Sequence, residues 1–254
     1  MSVITITTDF GDSIYSAILK AVIINKNENL KIVTISNNVE KYNIKQAKFF
    51  LENSYFYFPE NTVHLCVVDP GVGSERKGIV IKTEKYWFVG PDNGVFSFLK
   101  SNEVISCYEI IYKPKKLSYT FHGRDIFAPV ASMIVNKDDL KFILKEIQWK
   151  DTFTSKFRFQ KEREVIYIDD FGNIVLDIKY SEFKELVGDK RFKIIYKNKV
   201  FEKLNRFYYE VNKGELLLLV NSLDYIEIAQ REGNAKNVLK AEVGDRYEIK
   251  IDES

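Results

Sequence analysis

VITITTDFGDSIYSAILKAVIINKNENLKIVTIS, residues 3–36, is the stretch whose reading decides the fold. Its first six residues are all β-branched and suit a pleated strand, which stops at the turn residues Asp9-Phe10-Gly11. Helical spacing then runs from about Ser13 to Asn25, and KIVTIS (31–36) returns to strand composition. The same rhythm continues. IKQAKFFLENSYFYF (44–58) has helical spacing, VHLCVVD (63–69), GIVIKT (78–83) and YWFVG (86–90) read as strands, and a helix runs through IFAPVASMIVN (126–136). Strand and helix in alternation predict an N-terminal α/β domain over residues 1–150, with helices packed on a sheet.

A charged stretch from about Lys145 to Glu164, free of Gly and Pro, breaks that rhythm, and residues 151–162 are expected to be a linker. Beyond it come short strand candidates at roughly ten-residue spacing: EVIYID (164–169), NIVLDI (173–178), KIIYK (193–197), RFYYEV (206–211), ELLLLV (215–220), YIEIA (225–229) and RYEIKI (246–251). Turn signals at Gly188, Lys213-Gly214 and Gly244 separate some of them. The expected C-terminal domain, residues 163–254, is an antiparallel β domain, sandwich- or barrel-like.

Composition excludes several functions. With 254 residues, of which 45% are apolar, the chain can bury a large core. A net charge of +2 gives no electrostatic case for a nucleic-acid or membrane partner, and KPKK (113–116) reads as solvated loop. The first fifteen residues carry no basic leader and no apolar run is long enough to span a bilayer, so a soluble cytoplasmic protein is expected. Cys66 and Cys107 lack metal-ligand spacing, and His64 and His122 have no ligand-spaced partner; no metal and no cofactor are expected. No phosphate-gripping GxxxxGK[ST] or complete dinucleotide fingerprint occurs.

Chemistry is expected at strand ends, where an acidic or amide residue meets a glycine turn: Asp9-Phe10-Gly11, Asp69-Pro70-Gly71, Pro91-Asp92-Asn93-Gly94 and Asp169 to Asn173. Ligands of open α/β sheets collect outside the carboxyl ends of strands, so the first three of these could share one pocket. Each taken singly is also ordinary turn composition. His122, Arg124 and Asp125 crowd one glycine in YTFHGRD (119–125), where Arg124 and Asp125 can equally form an ion pair or cap the next helix. Asp69 and Arg76 bracket the tight loop DPGVGSER, whose proline and glycines allow both side chains to turn toward one point.

Taken in order, TTDFGD, VDPGVGSER, GPDNGVF, TFHGRDIFAPVAS, DxFGN at 169–173, and NSxxYIEIA followed by GNA at 221–235 resemble the S-adenosyl-methionine hydroxide adenosyltransferases, hydrolase relatives of the fluorinase and chlorinase enzymes. The resemblance covers residues 4 to about 235. It implies hydrolysis of S-adenosyl-L-methionine to adenosine and methionine, and a homotrimer holding substrate between one subunit's N-terminal domain and a neighbour's C-terminal domain. It also implies that Asp9 holds the ribose diol, that Tyr42 and Phe121 pack around the nucleoside, and that Asp169 takes the methionine ammonium while Asn173 reads adenine. Ser222, Glu227 and the backbone near Gln230 fall in its C-terminal binding motif. From the residues alone, core packing for Tyr42 and an exposed strand position for Glu227 are the lesser alternatives. Asp224 departs from the family, which usually has glycine there.

The halide-using relatives carry a tyrosine at the position of Asp69 and no histidine at that of His122. Fluorinases add a serine at the position of Gly123 and an insertion after the strand, whereas GIVIKTEKYWFVG (78–90) runs straight on. A carboxylate would repel a halide in a desolvated pocket, so the pattern favours water as nucleophile. Asp69, Arg76 and His122 are the expected reacting centre, with Gly123 among the binding positions. An adenosyl halide synthase and a non-catalytic nucleoside-binding protein are the alternatives.

Overall fold

The computed structural model describes residues 2–252, and the chain divides into two compact units, 1 to Phe159 and Gln160 onward. Unit 1 is built on a seven-stranded sheet: β1 (Val3–Thr8), β2 (Lys31–Ser36), β3 (Val63–Val67), β4 (Gly78–Thr83), β5 (Trp87–Pro91), β6 (Val104–Ile110) and β7 (Leu144–Ile147). Their order is β2-β1-β3-β5-β4-β6-β7. β2, β1, β3 and β5 run parallel to one another, and β4, β6 and β7 continue the sheet antiparallel.

Alternation along the strands decides what lies on each face. Leu65 and Val67 of β3 pack with Ile4 and Ile6 against α1 (Ile14–Lys26) and a later helix, α3 (Ala128–Asn136). Cys66 and Val68 face the other way, toward Ala47 and Leu51 of α2 (Ile44–Glu52) and toward Phe88 and Phe96. With both faces covered, β1 is buried along its whole length, as expected for a parallel strand at the centre of a layered sheet. Ser13 starts α1 by accepting the Tyr15 N–H, and Asn43 starts α2 by accepting that of Gln46.

Residues 151–157, the first half of the expected linker, are fastened to unit 1. After a short turn at Trp149–Asp151, α4 (Phe153–Lys156) presents its first N–H groups to Asp92, and Thr154 Oγ1 accepts the Gly94 N–H at 3.1 Å.

Unit 2 contains β8 (Val165–Ile168), β9 (Ile174–Lys179), α5 (Tyr180–Val187), β10 (Phe192–Tyr196), β11 (Lys199–Phe201), β12 (Leu216–Val220), β13 (Tyr225–Gln230), α6 (Ala235–Leu239) and β14 (Tyr247–Ile251). They form separate antiparallel sheets, β11-β10-β14 and β12-β13-β9-β8. One core joins these sheets to α5: Ile194, Tyr196 and Ile249 pack with Leu176, Leu218, Ile226, Ile228 and Phe183.

Two features correct the sequence reading of this half. RFYYEV is not a strand: Asn205 makes a single bridge to Leu219, and Tyr208–Glu210 then coil into a short turn around Glu210. In this turn Glu210 accepts from Asn205 Nδ2 and pairs with Lys203 and Arg206. YSEFKELV (180–187), for which the sequence reading has no element, is the amphipathic helix α5, burying Phe183 and Val187.

Among the described residues no helix is long and apolar enough to cross a membrane.

His64 lies wholly buried on β3. Its Nδ1 is 2.8 Å from Thr5 Oγ1, its ring stacks on Phe88 and meets Tyr55, Phe58 and Tyr86 edge-on, and its Nε2 has no partner. Burial pushes its pKa down to about 3, so the fold accepts only the neutral ring. The unfolded chain titrates near ~6.5 and binds the extra proton below that pH, so this contribution is complete above ~6.5 and fades as pH falls toward 3. His64→Leu should therefore flatten the loss of urea resistance between about pH 7.5 and pH 4.5; denaturation curves of both proteins across that range check it.

Candidate active site

The loop after β3 is wound tightly. Val72 N–H reaches the Asp69 carbonyl at 3.2 Å, and Ser74 both donates its N–H to the Gly71 carbonyl and accepts the Arg76 N–H at its hydroxyl. Gly73 takes φ +80°, and a Cβ there would stand 2.6 Å from the Tyr119 carbonyl oxygen. Only glycine lets the loop lie against the 118–121 segment, and that contact brings Arg76 to His122.

Arg76 donates through Nε to both Asp69 oxygens, at 2.8 and 3.0 Å, and through Nη2 to Asp69 Oδ2. The same Nη2 donates to His122 Nδ1 at 3.1 Å, and the guanidinium sits over the Phe127 ring. The Asp69 and Arg76 side chains are only 5% and 12% exposed, so the pair is largely out of water and the fork geometry matters.

An arginine only donates, so Nδ1 of His122 is the acceptor and the neutral ring carries its proton on Nε2. That Nε2 is buried and has no protein partner. Burial first, and the Arg76 charge second, hold the imidazole below its usual pKa, while Asp69 and Asp125 pull the other way. His122 opens a wide turn, Gly123–Phe127, that leads into α3. A Cβ at Gly123 would lie 3.0 Å from Val67 and 3.4 Å from Phe121, so the glycine lets this turn sit against the end of β3.

Beside this triad is a cavity of about 280 Å³ lined by Asp9, Lys41, Tyr42, Asp69, Phe121, His122 and Gly123 among others. The sequence-predicted residues of unit 1 thus converge, with Arg76 bound to two of them. Asp9, at the end of β1, is buried, and its Oδ2 accepts the Tyr42 N–H at 2.9 Å. Tyr42 is 69% exposed and hence not a core residue; it has φ +67°, a conformation that costs a non-glycine residue roughly 1–2 kcal/mol. Phe121 is fixed by edge contacts to Phe10 and Tyr15 and by Arg124 above its ring. Arg124 and Asp125 form an ion pair, and Asp125 also accepts the Ser118 N–H. Phe10, Lys41, Val72 and Thr120 also line the cavity and went unselected, although Phe10 lies inside the TTDFGD motif.

The Pro91-Asp92-Asn93-Gly94 turn does not share this pocket, contrary to the sequence expectation. Asp92 spends both oxygens on the Phe153 and Thr154 N–H groups at 2.8 Å, and Asn93 Nδ2 donates to the Val68 carbonyl. These side chains tie the ends of β3 and β5 together and hold α4 against them.

In unit 2, Asp169 and Asn173 form one turn. Asp169 Oδ1 accepts the N–H groups of Phe171 and Asn173, and Oδ2 accepts the Asn173 amide at 3.0 Å. Gly172, at φ +84°, packs where a Cβ would meet the Asn234 side chain at 2.3 Å. Glu227 on β13 is buried; it accepts from Tyr208 Oη at 3.1 Å and from Asn221 Nδ2 at 3.3 Å, and burial raises its pKa. Tyr208 and Asn221 were not singled out by the sequence reading. Gln230 braces its own loop, donating to the Gly214 carbonyl and accepting the Asn234 N–H. Ser222 is exposed in the turn before β13. In that turn Asp224 has φ +65°, a region that glycine occupies freely and that Asp tolerates.

A carboxylate, a guanidinium and a proton-bearing imidazole lie together beside a cavity beyond the carboxyl ends of the parallel strands, where an enzyme centre of such a sheet is to be sought. The chain belongs to the SAM hydroxide adenosyltransferase family, whose N-terminal domain model matches residues 4–143 and whose C-terminal domain model matches residues 163–248. It is 36% identical to the (R)-S-adenosyl-L-methionine hydrolase of Methanocaldococcus jannaschii, over 98% of this chain and 96% of that protein. It is 28% identical to the hydrolase of the same name from Salinispora tropica, over 97% of each. Among solved structures, an uncharacterized conserved protein from Thermotoga maritima superposes with a TM-score of 0.81 at 34% identity, covering 98% of this chain and all of that one.

The electrostatics of the triad have a measurable sign. Arg76 lowers the His122 pKa and Asp69 raises it, so Arg76→Met should move the imidazole titration up and Asp69→Asn should move it down. With only His64 and His122 in the chain, two-dimensional NMR of the imidazole protons reads both shifts directly.

Proposed function

We propose that this protein hydrolyses S-adenosyl-L-methionine to adenosine and L-methionine, and that its substrate is the epimer with R configuration at sulfur, as in the names of its relatives. The observation that carries the reading is Arg76 Nη2 reaching both Asp69 and His122 at the wall of a cavity that also holds Asp9. A carboxylate at 69 and an imidazole at 122 favour water over halide in that pocket.

Water attacks C5′ of the ribose in line with the departing sulfur. The C5′–O bond forms as the C5′–S bond breaks, its electron pair neutralises the sulfonium, and one proton is released to solvent with adenosine. Methionine is already a good leaving group, so catalysis rests on a positioned oxygen nucleophile. The Nε2–H of His122 offers a donor that aligns the attacking oxygen, and the fixed Arg76 charge favours its hydroxide character. Asp69, with both oxygens committed to Arg76, holds the guanidinium in place. Asp9 presents an acceptor to the vicinal hydroxyls. Asp169, Asn173, Ser222, Glu227 and Gln230 bind the remainder of the substrate.

The same reading has the enzyme working in the cytoplasm as a homotrimer, each substrate contacted by two neighbouring subunits; its free, buried Cys66 and Cys107 suit a reducing compartment. Light scattering should then give about three times 29.7 kDa, and mixing Asp69→Asn subunits with Asn173→Ala subunits should restore activity that neither has alone.

Arg76→Ala and His122→Ala should each lower kcat by about 100- to 1,000-fold, followed by chromatography of adenosine. In oxygen-18 water the label should enter adenosine, and the R epimer should be consumed faster than the S. Formation of 5′-chloroadenosine in chloride, or ligand binding without turnover, would overturn the assignment.

A further inference from the structure

Tyr42 keeps a left-handed backbone, φ +67°, at a position where glycine would sit without strain, and its N–H is spent on Asp9 Oδ2 at 2.9 Å. The rest of the 37–43 segment is pinned to the end of β1. Gly11 N–H donates to the Asn37 carbonyl, Val39 N–H to the Thr8 carbonyl, and Lys41 Nζ to the Asp9 carbonyl. On its other side, Asn43 caps α2 and the Glu40 N–H reaches Gln46 Oε1. A segment held at both ends has one free choice at Tyr42, and the left-handed one turns its N–H toward the carboxylate. A right-handed or extended residue would turn that N–H away.

We infer that Tyr42 is a positioning residue whose backbone, not its ring, sets ribose specificity: its N–H anchors Asp9 Oδ2 so that Oδ1 stands ready for the substrate's vicinal hydroxyls. This rests on the proposed adenosyl substrate. A carboxylate anchored through one oxygen presents the other in a single orientation, and a hydrogen bond to a charged acceptor separates a hydroxyl-bearing ligand from its deoxy analogue by about tenfold or more. The ring of Tyr42, mostly in solvent, contributes contact area to both ligands equally.

Tyr42→Asn and Tyr42→Val test this, because the two side chains are of similar size and both lack the ring. Asparagine tolerates the left-handed region and β-branched valine does not. Calorimetry of adenosine against 2′-deoxyadenosine gives the discrimination ratio for each protein, with KM and kcat measured alongside. Tyr42→Asn should weaken both ligands together and keep the wild-type ratio within about threefold, whereas Tyr42→Val should lose at least about tenfold of it. Tyr42→Gly should behave as the asparagine variant does, and Tyr42→Ala, which also disfavours the left-handed region, stands in for valine if that variant does not fold. Equal loss in the Asn and Val variants would assign the effect to the ring, and an unchanged ratio in both would remove Tyr42 from specificity; either overturns the inference. If the wild type itself binds both nucleosides alike, the substrate reading of Asp9 fails instead.

Discussion

The fork of Arg76 on Asp69 constrains much of unit 1. Two charged groups, nearly shut away from water, are tolerable only when each oxygen and each N–H is matched, and matching them demands a particular loop. That loop is DPGVGSER, whose bend at Gly73 runs against the Tyr119 carbonyl. The segment bearing Tyr119 continues directly into Phe121 and His122, so seating the ion pair also seats the imidazole. Val67 and Gly123 close the arrangement from below, with no room for a methyl group between them unless a neighbour gives way. The ion pair, the loop and the start of α3 are therefore one unit of structure, with the cavity beside it.

Much of this was legible in the sequence, for physical reasons. β-Branched runs ending in Asp-x-Gly announced β1 and its terminal carboxylate, and the DPGVGSER and TFHGRD segments are unusual enough to mark a centre. What escaped notice were interactions between residues far apart in the chain. Nothing near Asp92 says that its carboxylate will take the first N–H groups of α4, more than fifty residues on. A turn of the same composition as the one at Asp69 therefore looked like part of the pocket. RFYYEV shows the limit of local propensity, since its β-prone aromatics end in a short turn at Tyr208–Glu210 where only Asn205 bridges to a strand.

Positive backbone angles are a second place where sequence speaks indirectly. Tyr42 and Asp224 both occupy the left-handed region without being glycine. At Asp224 the conformation has a small physical cost because Asp is among the residues that tolerate it. At Tyr42 the residue type gives no such hint, and only the conformation reveals that the main chain holds Asp9.

The tie between Asp92 and α4 also decides where the chain can be divided. Ending unit 1 at residue 150 would strip Asp92 of both N–H partners, leave a buried carboxylate unmatched, and remove Phe157 from its contact with Gly94. A cut after Phe159 keeps all three. Shuffling of the two units between homologues would have to respect that seam, because residues 151–157, which look like connecting chain, are the clasp of the first unit.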